Sequence, residues 1–303
     1  MLSAADLIGI FPALVTPFGV DGAFDRSSYA GLIRRMFDGG AAGVVALGGT
    51  GEYTALSPAE RRSVIEAAVA DSQGRGPVIA GVLSPGFAEA VEAARDFAAA
   101  GVDALLVVTP FYVLAGQQGL LDYHRRLRDA VDLPLVLYDI PSRTNVCFAP
   151  QTVAKLAEEG VAIGIKYSNY DLVSFTRVTI AAGESMTIMT GEDPILVAHA
   201  VLGARGAILA TANLAVEPLV ECLRRVVSGD VAGATALQKA LYPLLDAVFS
   251  EPNPGPLKKA MEIIGHPVGS VRLPLVAPSA ETEATLRRVL KEMPGLTARE
   301  QLA

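Results

Sequence analysis

The 303-residue chain is predicted to form a (β/α)8 TIM barrel, an α/β fold, with a C-terminal helical appendix; three features of the sequence say so. Eight short apolar runs recur along its first two thirds, helical segments separate them, and several of those segments hand over to the next run through glycine. The runs cover 8–16, 43–48, 77–82, 104–109, 134–139, 163–168, 186–191 and 206–211. Strands apolar on both faces belong to a parallel sheet covered on both sides. Helices are expected at 25–38, 57–73, 87–100, 117–131, 150–159, 171–182 and 193–202. The second opens with Ser57 as cap, Pro58 at the first helical position and Glu60 completing a capping box. Gly39-Gly40-Ala41, Gly101-Val102-Asp103, Gly160-Val161-Ala162 and Gly203-Ala204-Arg205 form a weak repeat in which a helix ends on glycine. A doubly wound open sheet is the alternative assembly of the same units. After Thr211 the strand signals stop, and 215–299 reads as helices broken at Glu251-Pro252-Asn253-Pro254-Gly255-Pro256 and at Pro274. The expected organisation is a barrel core over 1–214 and helices over 215–303 that close and extend it.

Composition narrows the function. A net charge of -7, without a cluster of Lys and Arg, argues against a nucleic-acid surface. The pairs Arg34-Arg35, Arg61-Arg62, Arg125-Arg126 and Arg224-Arg225 fall on helical stretches and are expected to be solvated. Cys147 and Cys222 lie far apart and lack metal-ligand spacing, which fits a reducing cytoplasm. No apolar run approaches the ~18 residues of a membrane helix, and the start of the chain lacks the basic region of a secretory signal. A soluble cytoplasmic protein that binds neither nucleic acid nor membrane is expected.

In a barrel of this kind the chemistry lies at the carboxyl ends of the strands. The run Ile163-Gly164-Ile165-Lys166-Tyr167-Ser168 is an apolar strand interrupted by one amine. Desolvation favours the neutral form of an amine, which is the nucleophile that attacks a carbonyl carbon to form a Schiff base. Of the six lysines, the other five fall in stretches that read as helical and solvated. The alternative is a strand-end lysine that snorkels to water. After the second strand, Gly48-Gly49-Thr50-Gly51-Glu52 can turn backbone amides inward as an anion nest, with the Thr50 hydroxyl as a further donor. It lacks the spacing of a dinucleotide fingerprint and the lysine of a P-loop, and a plain tight turn is the alternative. The fourth strand ends in Thr109-Pro110-Phe111-Tyr112 and the fifth in Tyr138-Asp139-Ile140-Pro141-Ser142-Arg143-Thr144. A tyrosine beside a buried amine can relay protons, and an arginine can clamp a carboxylate through two hydrogen bonds. Taken singly, each tyrosine also fits packing and Arg143 a surface charge.

In combination these motifs resemble the class I, pyruvate-dependent aldolases grouped around dihydrodipicolinate synthase and N-acetylneuraminate lyase. The resemblance runs from Phe11-Pro12-Ala13-Leu14-Val15-Thr16-Pro17-Phe18 to Arg272-Leu273-Pro274 and includes Gly-Thr-Gly-Glu, Tyr-x-x-Pro-Ser-Arg-Thr, Gly-Ile-Lys, Gly191-Glu192-Asp193 and Glu251-Pro252-Asn253-Pro254. It implies that Lys166 forms the imine with pyruvate or another 2-oxo acid and that Tyr138 shuttles protons. It also implies that Gly49 and Thr50 bind the carboxylate and that Gly191 and Ile208 line the pocket. Tyr112 matches a residue that crosses into a neighbouring subunit's site, and Arg143 one that receives a second carboxylate in the synthase branch. The protonated imine is itself an electron sink, so neither metal nor cofactor is expected. A homotetramer, a dimer of dimers, is implied. The nearest activity is condensation of pyruvate with an aldehyde such as aspartate semialdehyde. Gly49, without a hydroxyl, resembles instead the loop of the ketodeoxyglucarate dehydratase branch, so a dehydratase, deaminase or retro-aldolase of a sugar acid or hydroxyproline-derived acid is the alternative. A non-catalytic 2-oxo acid sensor and a phosphate-binding barrel are readings of other classes. The first has no need of a buried amine, and the second needs glycine-rich loops where the chain carries Gly191-Glu192-Asp193 and Thr211-Ala212-Asn213.

Overall fold

Apolar runs in register close on one another in the structure, a computed structural model that describes residues 2–293. The strands are β1 (Gly9–Pro12), β2 (Val44–Ala46), β3 (Val78–Val82), β4 (Ala104–Val108), β5 (Leu135–Asp139), β6 (Ala162–Tyr167), β7 (Thr187–Thr190) and β8 (Gly206–Leu209). They form one parallel sheet in the order β1-β8-β7-β6-β5-β4-β3-β2. The two ends of that order meet. Leu14 N–H donates to the Val45 carbonyl at 2.9 Å and Ala42 N–H to the Ile10 carbonyl at 2.9 Å. An open, doubly wound sheet would leave those groups as edges, so the barrel is the arrangement adopted.

The helices follow in chain order: α1 (Arg26–Asp38), α2 (Pro58–Ser72), α3 (Phe87–Ala99), α4 (Gln117–Ala130), α5 (Pro141–Thr144), α6 (Pro150–Glu158), α7 (Leu172–Ala182), α8 (Leu196–Val201), α9 (Ala212–Val227), α10 (Val231–Val248), α11 (Gly255–Ile263) and α12 (Ala280–Lys291). Their starts obey local chemistry. Ser57 and Glu60 exchange hydrogen bonds as a capping box at the head of α2. Gly40 and Gly203, at φ of +93° and +110°, turn the chain out of its helix in a conformation that side chains resist. Two features were not expected: the single turn α5, and a 3-10 turn, Asp193–Ile195, in place of the first turn of the helix read at 193–202. The part of the C-terminal helical reading that covers 294–303 lies outside the described residues.

The barrel interior is filled at one end and open at the other. Phe11, Val45, Ile79, Leu106, Val136 and Met189 pack inside the sheet, joined from below by Leu7 of the 3-10 turn Ala4–Leu7. A Cβ at Gly164 would stand 2.6 Å from the Leu7 side chain, so that glycine leaves room for the plug. A second, larger apolar layer lies between the strands and the surrounding helices.

Beyond β8 the chain does more than complete the eighth unit. α9 packs on β1, α10 and α11 pack on α9 and on each other, and α12 packs on α10 and α11. Lys258 of α11, expected to be solvated, is instead buried at 2% side-chain exposure, its Nζ 2.6 Å from Glu52 Oε1 and 4.2 Å from the centre of the Phe18 ring. The helical pattern of the sequence could not reveal this, because the partner carboxylate lies two hundred residues away in the loop after β2. Two arginines read as solvated also turn inward. Arg61 stacks on Tyr53 with its guanidinium carbon 3.8 Å from the ring centre, and Arg35 donates to the Asn213 carbonyl at 2.5 Å.

Removing one partner of a buried pair strands the other charge. Lys258→Met is expected to lose about 3–5 kcal/mol of unfolding free energy, whereas the double change Glu52→Gln with Lys258→Met loses far less. Urea denaturation of the two variants measures the difference.

Candidate active site

Side chains alternate across a strand, and on β6 Ile165 and Tyr167 face the helices, which leaves Gly164 and Lys166 inside. Lys166 is 7% exposed at the open end of the barrel. The register of β5 against β6 sets Tyr138 beside it. Lys166 Nζ lies 3.4 Å from the Tyr138 hydroxyl and 4.4 Å from the ring centre. On the other flank the chain leaves β7 at Gly191. A Cβ there would stand 2.6 Å from Lys166 Cε and 2.0 Å from Ser168 Oγ, so only glycine lets the lysine stem pass. Ile208 of β8 is fully buried in the interior cluster and lines the same space.

A cleft of about 680 Å³ opens above Lys166. Gly49 and Thr50 form one wall. Gly51 N–H donates to the Gly48 carbonyl at 3.0 Å and Glu52 N–H to the Gly49 carbonyl at 3.2 Å, which curls the loop, while the amides of Gly49 and Thr50 take no partner among the described residues. Thr16 Oγ1 donates to the Gly51 carbonyl at 2.7 Å and fixes the loop from below. The result is an amide nest with one hydroxyl, a site for an anion.

Arg143 sits on α5 at the rim of the cleft, exposed, and its charge acts on the Glu192 carboxyl without a close ion pair. Its turn is anchored by Thr144, whose hydroxyl donates to the Val146 carbonyl at 2.9 Å and accepts from Thr109 Oγ1 at 3.0 Å. Seven of the eight site residues singled out in the sequence thus converge on one cleft. The eighth, Tyr112, does not: it is 93% exposed, held at a φ of +72°, and only its neighbour Phe111 reaches the cleft.

The structure also brings in residues without an assigned role. Asn253, in the proline-flanked break before α11, donates from Nδ2 to Thr50 Oγ1 at 2.9 Å. The prolines marked an interruption, but nothing local said which wall it would reach. Glu192 lines the cleft beside Tyr170; burial pushes its carboxyl above the ordinary value, and the hydrogen bond to Tyr170 opposes that rise. Asp193 is fully buried and accepts from the Thr211 amide at 2.8 Å and from the Thr211 hydroxyl, tying the end of β7 to that of β8. Behind Tyr138, Asp139 is buried with one amide donor, Phe148 N–H at 3.2 Å, and burial pushes its carboxyl up to about 7. Among the described residues no group of His, Cys, Asp and Glu is arranged to hold a metal ion.

Comparison with known proteins bears on this arrangement. The dihydrodipicolinate synthetase family profile matches residues 6–293. A 4-hydroxy-tetrahydrodipicolinate synthase of Methanothrix thermoacetophila is 37% identical over 290 residues, covering 95% of this chain and 98% of its own length. That of Hyphomonas neptunium is 40% identical over 280 residues, with 92% and 95% covered. The crystal structure of dihydrodipicolinate synthase from Thermotoga maritima matches with a TM-score of 0.92 at 31% identity, over 96% of this chain and 99% of that one.

Two outcomes are expected. Gly191→Ala displaces the lysine stem, so a crystal structure of the variant shows Lys166 Nζ moved away from the Tyr138 hydroxyl, with a lower melting temperature. Asp139 binds its proton more tightly folded than unfolded, so its contribution to stability is present below its ordinary value of 3.8 and is lost as the pH rises through about 7. Asp139→Asn removes that loss, and melting curves from about pH 5 to about pH 8 should show the variant gaining on the parent as pH rises.

Proposed function

The chain belongs to the dihydrodipicolinate synthetase family of class I, Schiff-base-forming aldolases that act on pyruvate-type 2-oxo acids, and from that premise we propose that Lys166 is its imine-forming residue. The observation that carries the reading is an amine held inside the barrel, 3.4 Å from the Tyr138 hydroxyl and open to a cleft with an amide nest in its wall.

In this reading the amides of Gly49 and Thr50 and the Thr50 hydroxyl receive the substrate carboxylate. The Lys166 amine attacks the keto carbon, the keto oxygen leaves as water, and a protonated imine forms. That cation acidifies the adjacent carbon, which gives up a proton to become an enamine. Tyr138 carries protons to and from these centres. Gly191 keeps the lysine stem unobstructed, and Ile208 supplies an apolar wall. The enamine carbon then attacks an aldehyde, and hydrolysis of the new imine returns the free amine. Arg143, exposed at the rim, is the group for a distal carboxylate on that aldehyde, which supports condensation of pyruvate with a substrate such as aspartate semialdehyde.

One observation favours a second reading. Gly49 offers no hydroxyl, and a Cβ there would meet nothing within 4 Å. The space and the missing proton carrier suit a longer hydroxylated substrate, a sugar acid or a hydroxyproline-derived acid, undergoing dehydration, deamination or retro-aldol cleavage. In either reading the enzyme works in the cytoplasm as a tetramer of paired dimers, with Tyr112 reaching a neighbour's cleft. Support for a subunit contact comes from Tyr112, Val113 and Leu114, at 93%, 75% and 61% exposure an apolar patch. No helix among the described residues is long and apolar enough to cross a membrane.

Incubation with pyruvate and borohydride, followed by intact-mass spectrometry and peptide mapping, is expected to yield a reduced adduct on Lys166 and none in Lys166→Ala. An adduct on another residue would end the assignment. Turnover of pyruvate with aspartate semialdehyde, set against 2-keto-3-deoxy sugar acids, separates the two substrate readings.

A further inference from the structure

The C-terminal segment reaches the nest at two points. Glu52 pairs with Lys258, and Thr50 meets Asn253 five residues earlier in the same segment. The loop that carries Asn253 is itself anchored, because Glu251 Oε1 accepts from the Ser279 amide at 3.0 Å and from its hydroxyl at 2.7 Å at the head of α12. Asn253 is therefore fixed against Thr50 from both of its own sides.

A threonine hydroxyl has one proton to give and two lone pairs to fill. Here Asn253 Nδ2 donates at 2.9 Å and fills one lone pair, and the Thr50 hydroxyl proton has no acceptor among the described residues. Thr50 is 6% exposed, and both side chains line the cleft that holds Lys166. The one direction left for that proton is the cleft. An amide that donates to the oxygen also polarises the hydroxyl and strengthens it as a donor. Asn253 Oδ1 is buried and without a partner, so the amide makes its hydrogen bond to the site through Nδ2 alone.

We infer that Asn253 is a positioning residue for 2-oxo acid binding, holding the Thr50 hydroxyl so that its proton points into the cleft at the substrate carboxylate. The inference rests on the reading above, in which Thr50 receives that carboxylate. It makes the segment beyond the barrel part of the binding site, although that segment has no reacting group of its own. A flipped amide would do the opposite: its carbonyl would take the Thr50 proton and compete with the substrate.

The two arrangements differ in the sign of a measurable effect. Asn253→Ala is expected to raise KM for pyruvate about tenfold or more, the size of one hydrogen bond lost to a charged acceptor, with kcat unchanged. The same change made in a Thr50→Val background should leave KM where Thr50→Val alone puts it, because the hydroxyl it orients is gone. Asn253→Asp, isosteric and able only to accept when ionised, serves if the alanine variant does not fold, and is expected to raise KM further. An unchanged or lower KM in Asn253→Ala, an equal effect in the Thr50→Val background, or a fall in kcat at constant KM would overturn the inference. Borohydride trapping of the parent with pyruvate is run alongside. No adduct in the parent means that the Lys166 reading has failed, whereas an adduct with KM indifferent to Asn253 means that only this inference has.

Discussion

A parallel barrel whose interior is plugged at one end allows a ligand to approach a buried amine from one direction only. Leu7 and the apolar layers above it occupy the amino-terminal end, and the strands are short enough that Lys166 stands at the last inward position of β6. The site depends on that confinement. It keeps water largely from the amine, aligns Tyr138 through strand register rather than through a loop, and obliges the neighbouring strand to end in a residue without a side chain. A reactive group placed this way has its orientation set by the backbone hydrogen bonds of the sheet, which are the least mobile part of such a fold.

The cleft is built in two tiers. The inner tier is made by strand ends: Lys166, Tyr138 and Ile208 come from three different strands and Gly191 directly follows a fourth, so their mutual positions follow from one sheet. The outer tier is made by loops and by the segment after α10, which contributes Asn253 to the wall, Lys258 to the ion pair below it and Arg272, whose backbone N–H donates to Glu52 Oε2 at 2.8 Å. Phe18 lies between the two cations, 4.2 Å from each. Such contacts join the loop after β2 to the last third of the chain, so the nest is not an independent turn. Its shape is held by residues more than two hundred positions away.

In the proposed reading, the outer tier is also where substrate choice would reside. There Arg143 stands at the rim, a Cβ at Gly49 would meet nothing within 4 Å, and Glu192 hydrogen-bonds with Tyr170 in the cleft wall. Imine chemistry asks little of these groups. A family can therefore keep the inner tier and vary the outer one, which is why membership identifies the reaction class more firmly than the second substrate.

Sequence alone determined the features that rest on local chemistry and on the period of side chains. Eight apolar runs, glycine hand-overs and the cap at Ser57 specified the alternation of strand and helix. A single lysine in an apolar strand singled out Lys166, and short motifs singled out Thr50, Tyr138, Arg143 and Gly191, which the fold gathers around one cleft. Only the tertiary structure decided which distant groups would meet. Lys258 and Arg61 looked solvated because a helix reveals only its own pattern, and each is buried through a partner that the chain brings from elsewhere. Asn253 was visible only as a residue in a proline break. Tyr112, which the resemblance places in a neighbouring subunit's site, stands exposed outside the cleft of its own chain. The physical reason is the same in each instance: propensity and periodicity act over a few residues, whereas burial and pairing are properties of surfaces that exist only once the barrel has closed.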